Sequence, residues 1–247
     1  MLFEEHGPVT GPAVVFLHPA GLSPAVFAPA ARELEKYGCR VLLPALSGHG
    51  GDQERFAGIE QEAQRQADFL QEQTGGQILA LCGAGLGAQV AVEMLSRAPD
   101  IAQKAVLESI SIEPRSWYSA VIRMIGPIQK RLKKGRFGQI FLHLTRVSPL
   151  IADAYLAALG AVSPETLRAA AEAGAAYRLP EQFGRQRAQL LVLCAEKGLN
   201  VLQRSATELA AAARTSTRMI GGGRRAYCLQ DPEGYAVLVR HFLIGKH

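Results

Sequence analysis

The stretch from Ile78 to Met94, ILALCGAGLGAQVAVEM, constrains the fold more than any other part of the chain. It opens with a short apolar run, Ile78-Leu79-Ala80-Leu81-Cys82, set between Gly75-Gly76 and Gly83. Such a run predicts a strand buried on both faces of a parallel sheet. Gly83-Ala84-Gly85-Leu86-Gly87 is too rich in glycine for strand or helix. It must be a tight turn whose backbone passes close to something or takes a positive φ. Beyond it Leu86, Val90, Ala91, Met94 and Leu95 recur at helical spacing until Ala98-Pro99-Asp100 ends the helix. A buried strand bending straight into a helix needs a large core around it. With 48% hydrophobic and 20% charged residues, a chain of 247 can supply one.

The flanking sequence repeats the pattern. Strands are predicted at 13–17, 40–43, 104–108, 190–194 and 216–220, and helices at about 24–37, 54–73, 200–213 and 232–244. This alternation implies an α/β protein with a mostly parallel sheet and helices on both faces. Residues 113–186 break it. No convincing strand occurs there, and helical segments follow one another between Gly126-Pro127, Gly135, Ser148-Pro149, Ser163-Pro164 and Leu179-Pro180. The predicted organisation is a core of 1–112 and 187–247 with an inserted helical cap at 113–186.

Two chemistries use a strand–turn–helix of this shape. One places a nucleophile on the turn as G-x-S-x-G. The other cradles a pyrophosphate as G-x-G-x-x-G/A, which Gly83-Ala84-Gly85-Leu86-Gly87-Ala88 fits. Several landmarks favour the first. They are His18-Pro19-Ala20-Gly21 after a strand, the loop Leu46-Ser47-Gly48-His49-Gly50, the glycine turn, the helical insertion, Cys194-Ala195-Glu196-Lys197-Gly198 after a late strand, and Asp231-Pro232-Glu233. In this order and spacing the chain resembles the α/β-hydrolase fold superfamily with a cap, over nearly its whole length. The rival is a dinucleotide-binding Rossmann unit, with Glu108 in the place of a ribose-binding acid. That fingerprint normally opens its fold, whereas two strand–helix units precede it here.

The hydrolase resemblance implies a serine on the turn, an acid after a later strand and a histidine after the last strand, because a serine hydroxyl attacks only when an imidazole takes its proton. The matching positions hold Gly85, Gly198 and Arg225. Shifting the match does not help. No serine lies between Gly48 and Leu95, and no histidine between Leu144 and Arg240. Loss of nucleophile or base costs on the order of 10⁶ in kcat in one serine protease, so no catalytic residue of the triad type is expected. Cys82 as a substitute nucleophile would need an electropositive pocket, and a buried strand cysteine is the commoner reading. Glu108 could stand in for the acid, but a helix-capping or ion-pairing role suits it better.

What the resemblance leaves is an oxyanion hole, made by the backbone N–H groups of Ala20 and Leu86. The expected ligand site is therefore His18, Ala20, Gly85, Leu86 and Arg225, holding a small, anionic molecule that is not cleaved. Two alternatives stay open: an active esterase or thioesterase using a non-standard site, and the dinucleotide binder. The cap carries eight basic residues between Arg115 and Arg146 against the acid Glu113. Its apolar stripe of Trp117, Val121, Met124, Ile125, Ile128 and Leu132 suits a lid over the pocket. An anionic membrane surface is the less common explanation. No nucleic-acid motif, zinc-ligand cluster or P-loop occurs, and neither metal nor cofactor is expected. The four cysteines lack CxxC spacing, no apolar run reaches the roughly 18 residues of a membrane span, and the N-terminus lacks a secretory pattern. A cytoplasmic protein is expected.

Overall fold

The computed structural model describes residues 1–114, 135–215, 217–221, 223 and 226–245. Its strands are β1 (Phe3–His6), β2 (Ala13–Leu17), β3 (Arg40–Pro44), β4 (Ile78–Ala84), β5 (Ala102–Glu108), β6 (Gln189–Ala195) and β7 (Thr217–Ile220). They form one sheet in the order β1-β3-β2-β4-β5-β6-β7. Only β1 runs antiparallel, pairing Phe3 with Pro44 and His6 with Val41. β1 was not predicted, because Phe3-Glu4-Glu5-His6 is largely exposed and carries no alternation to read. The parallel strands β2 and β3 are buried throughout, as a sheet covered on both faces requires.

Alternate strand residues feed two cores. Val15, Leu17 and Leu81 face helices α2 (Ile59–Thr74) and α3 (Leu86–Arg97). Val14, Phe16, Ala80 and Cys82 face α1 (Ala28–Glu35) and the closing helix Pro232–Ile244. Between β5 and β6 the described elements are all helical: α4 (Gly135–Thr145), α5 (Ala152–Ala161) and α6 (Pro164–Ala176), with short 3₁₀ turns. Serine side chains cap two of these segments, Ser148 accepting from Leu150 N and Ser163 from Thr166 N. The basic segment 115–134 and the side chain of Arg136 lie outside the described residues. After β6 come α7 (Asn200–Ala212), the one-turn α8 (Tyr227–Gln230) and α9 (Pro232–Ile244). Asp231 caps α9 by accepting from Gly234 N at 2.9 Å.

Helix α2 begins later than predicted, at Ile59, because Gly58 at φ +138° holds residues before it out of the helix. Its polar sequence has a purpose. Glu62 and Gln66 are buried and bind the loop after β3: Glu62 accepts from Ser47 N at 3.2 Å and from Gln66 Nε2 at 2.8 Å. Arg65 adds bonds to Ser47 Oγ at 3.1 Å and to Asp52 at 2.7 Å. This network fixes one wall beside the carboxyl end of the sheet. Among the described residues, no helix is long and apolar enough to cross a membrane.

Candidate active site at the strand–helix turn

At the carboxyl end of β4 the chain enters α3 through Gly85, at φ +56° and ψ −117°. L-residues rarely adopt this conformation, and it turns the position outward at the crest of the sheet. The three glycines of the turn serve different needs. A Cβ on Gly87 would lie 2.0 Å from Leu17 O, and one on Gly83 would lie 2.5 Å from Gly87 O. Strand and helix therefore pass each other backbone to backbone, a separation that any side chain would force open. A Cβ on Gly85 would meet only Pro19 among the described residues, at 3.6 and 3.8 Å. The turn has the geometry of a nucleophile elbow, and its central position has room for a side chain that the sequence does not provide.

Two backbone donors stand beside this crest. Leu86 is the first residue of α3, so its N–H has no partner within the helix. Ala20 lies in the loop after β2, next to Pro19. Among the described residues, neither N–H makes a backbone hydrogen bond. The turn leads directly into the N-terminal, positive end of the twelve-residue helix α3.

His18 does not present itself to this space. It is fully buried, its Nδ1 lies 2.9 Å from Pro19 O, and its Nε2 accepts from Leu46 N at 3.1 Å. Those bonds define the tautomer with the proton on Nδ1. Burial, followed by the neighbouring His49, pushes its pKa down to about 3, so the ring stays neutral. The expected ligand contact by His18 is corrected to a structural one: with both nitrogens committed, the ring ties the β2 loop to the β3 loop. His49, 5.4 Å away between ring centroids, holds its own loop through Nδ1 to Ser47 O at 2.9 Å.

Glu108 ends β5, the strand next to β4, and Gly85 N donates to its carbonyl at 2.9 Å. The carboxyl is buried and accepts from the N–H groups of Tyr227 and Cys228, the latter at 3.3 Å. It therefore caps the first turn of α8. Burial pushes its pKa up to about 7 against those hydrogen bonds. A carboxyl so enclosed is not free to hold a ribose, which removes the residue that the dinucleotide reading needed. Cys82 lies fully buried on β4 and burial holds its thiol well above the usual range, so it is no ready nucleophile. Gly198 sits in a tight turn after β6, its N–H donating to Ala195 O at 3.1 Å. Arg225 lies outside the described residues.

Ser109 was not singled out from the sequence. It follows Glu108 at φ +52°, beside the turn, and no sequence signal marks a serine for that conformation. No group of three or more His, Cys, Asp or Glu side chains that could hold a metal occurs among the described residues.

The sheet order, the outward turn after β4 and the helical segments between β5 and β6 together define a hydrolase-type α/β architecture. The chain belongs to the alpha/beta hydrolase family, which it matches over residues 14–238. A comparison with curated proteins finds no match. Among solved structures it is similar to a hydrolase from Pseudomonas aeruginosa, at 17% identity and a TM-score of 0.80, covering 98% of this chain and 93% of that one. The enol-lactonase of Burkholderia xenovorans gives 19% and 0.79, covering 98% and 95%. A thermophilic esterase of Thermogutta terrifontis, solved with malate bound, gives 21% and 0.76, covering 98% and 92%.

Proposed function

We propose that this protein holds a small carboxylate-bearing molecule over Gly85, with the N–H groups of Ala20 and Leu86 around one oxygen, and does not form a serine-linked intermediate. The observation that carries the reading is a nucleophile-elbow turn with a glycine at its crest and two unpaired donors beside it. The helical segments described between β5 and β6 act as the cap over this site. The malate in the Thermogutta esterase makes carboxylates the reasonable first probes. Four cysteines kept as buried free thiols suit a cytoplasmic, reducing setting. The test is a thermal-shift screen of mono- and dicarboxylates, run beside fluorophosphonate labelling. A rise in Tm without labelling is expected, and a flat screen refutes the reading.

A second reading, hydrolysis of short esters or thioesters by a route without serine, is supported by family membership. Turnover of an ester panel that follows the protein through every purification step, without fluorophosphonate labelling, would favour it over simple binding.

A further inference from the structure

Charge is divided sharply along this chain. Between Pro114 and Ala152 there are eight Lys and Arg residues and no Asp or Glu, while the rest carries 19 Lys and Arg against 22 Asp and Glu. The net charge of +5 therefore comes entirely from one stretch. The last part of that stretch is α4 and the turn after it, where the fold exposes apolar side chains instead of burying them. Ile140 is 57% exposed, Leu144 73% and Leu150 50%. Leu144 is the most exposed large apolar side chain among the described residues.

This exposure belongs to one side of a helix that is well held on the other. Leu142 is buried, Phe141 stacks on Tyr155 with ring centroids 6.3 Å apart, and Thr145 Oγ1 donates to Phe141 O at 2.7 Å. Past the helix, Ser148 N donates to Leu229 O at 2.8 Å and ties the turn to α8. Ile140 and Leu144, four residues apart, share the opposite side of α4, and the exposed His143 and Arg146 adjoin Leu144 in sequence. Chain order keeps further positive charge close, since Lys133 and Lys134 run directly into Gly135, the first residue of α4.

We propose that the exposed side of α4 and its following turn rest on an anionic lipid surface. Ile140, Leu144 and Leu150 enter the acyl boundary, and Arg146 meets the headgroups. This surface is separate from Gly85 and does not depend on the function proposed above. Lipid is favoured over an acidic protein by area: a stable protein interface takes about 800 Å² from each partner, far more than three side chains supply. An aliphatic side chain enters lipid without a shaped counterpart. Nucleic acid would answer the charge and leave the apolar side chains in water.

The test is co-sedimentation of the full chain with vesicles of phosphatidylcholine alone and of an equimolar mixture with phosphatidylglycerol. Binding to the mixed vesicles is expected, weakened by added salt and absent from phosphatidylcholine alone. The double variant Ile140→Gln, Leu144→Gln keeps good helix formers at exposed positions, so its Tm stays at the wild-type value. Its affinity for mixed vesicles falls about 10-fold or more. Leu144→Trp should bind at least as well as wild type and show a blue shift in emission on mixed vesicles that wild type lacks. Failure of wild type to bind the mixed vesicles, or equal binding to both kinds, overturns the proposal. So does a double variant that binds as wild type does. Binding to polyglutamate or to single-stranded DNA that is as tight as to the vesicles, and unchanged in the double variant, would give the charge to an acidic macromolecule and overturn it as well.

Discussion

The three glycines of the elbow allow a graded experiment, because the same substitution meets three different environments. Gly85→Ala adds a Cβ that touches only Pro19, at 3.6 Å and beyond, so the expected cost is that of a non-glycine residue at φ +56°, ψ −117°. That is about 1–3 kcal/mol. Gly87→Ala places the same atom 2.0 Å from Leu17 O, 2.4 Å from Leu17 C and 2.8 Å from His18 O. All three are backbone, so α3 must retreat from β2 by about an ångström or more, opening a core close-packed to crystal density. Gly83→Ala meets Gly87 O at 2.5 Å and Ala88 N at 2.7 Å. For these two the expected loss is about 4 kcal/mol or more, in the range reserved for disrupted cores. Urea unfolding followed by circular dichroism at pH 7 gives the order: Gly87→Ala and Gly83→Ala far below wild type, Gly85→Ala only moderately below. Equal losses at all three positions, or a tolerated Gly87→Ala, would refute the close-approach argument.

Other expectations can be checked together. Glu108 carries a pKa of about 7 against a usual 4.5, so the native state holds its proton more tightly than the unfolded chain. The stability this gives is complete below pH 4.5 and is lost as pH rises through 7, up to about 3 kcal/mol. The difference between wild type and Glu108→Gln should follow that window, and a difference independent of pH would refute it. His18 works in the opposite sense. Its pKa falls from 6.5 to about 3, so its contribution is present above pH 6.5 and is lost on acidification, by about 3 kcal/mol between pH 6.5 and 4. A shallower acid limb in His18→Gln is expected. Arg65→Ala leaves the buried Asp52 carboxylate without its 2.7 Å partner and should cost about 1–3 kcal/mol in urea unfolding. Gly85→Ser alone should restore no ester turnover, since no histidine lies between Leu144 and Arg240 to activate it.

The parts of the fold that were legible in the sequence are those where burial imposes a pattern. Strands 13–17 and 78–82 are unbroken apolar runs because the sheet covers them on both faces, and both were found, the second extending to Ala84. β1 escaped notice because its residues are mostly exposed, and the contacts of Phe3 with Phe69 and of Glu5 with Arg40 come from distant parts of the chain and leave no local pattern. The glycine turn was readable as a turn, but its three identical letters hide two causes: conformation at Gly85, close approach at Gly83 and Gly87. His18 illustrates a different limit. Its sequence neighbours place it near the pocket, yet its chemistry is decided by Leu46 N, which arrives from another loop. Ser109 illustrates a third, since a serine letter says nothing of its φ.

The single antiparallel pairing has a bearing on how the protein must be handled. β3 is wholly buried, and β1 alone covers its outer edge in the sheet order. Trimming the first ten residues would uncover a hydrogen-bonding edge beside Val41, Leu42 and Leu43, the kind of surface on which chains add to one another. The shortened protein would be prone to clump while the glycine turn, on strands further along, stayed whole.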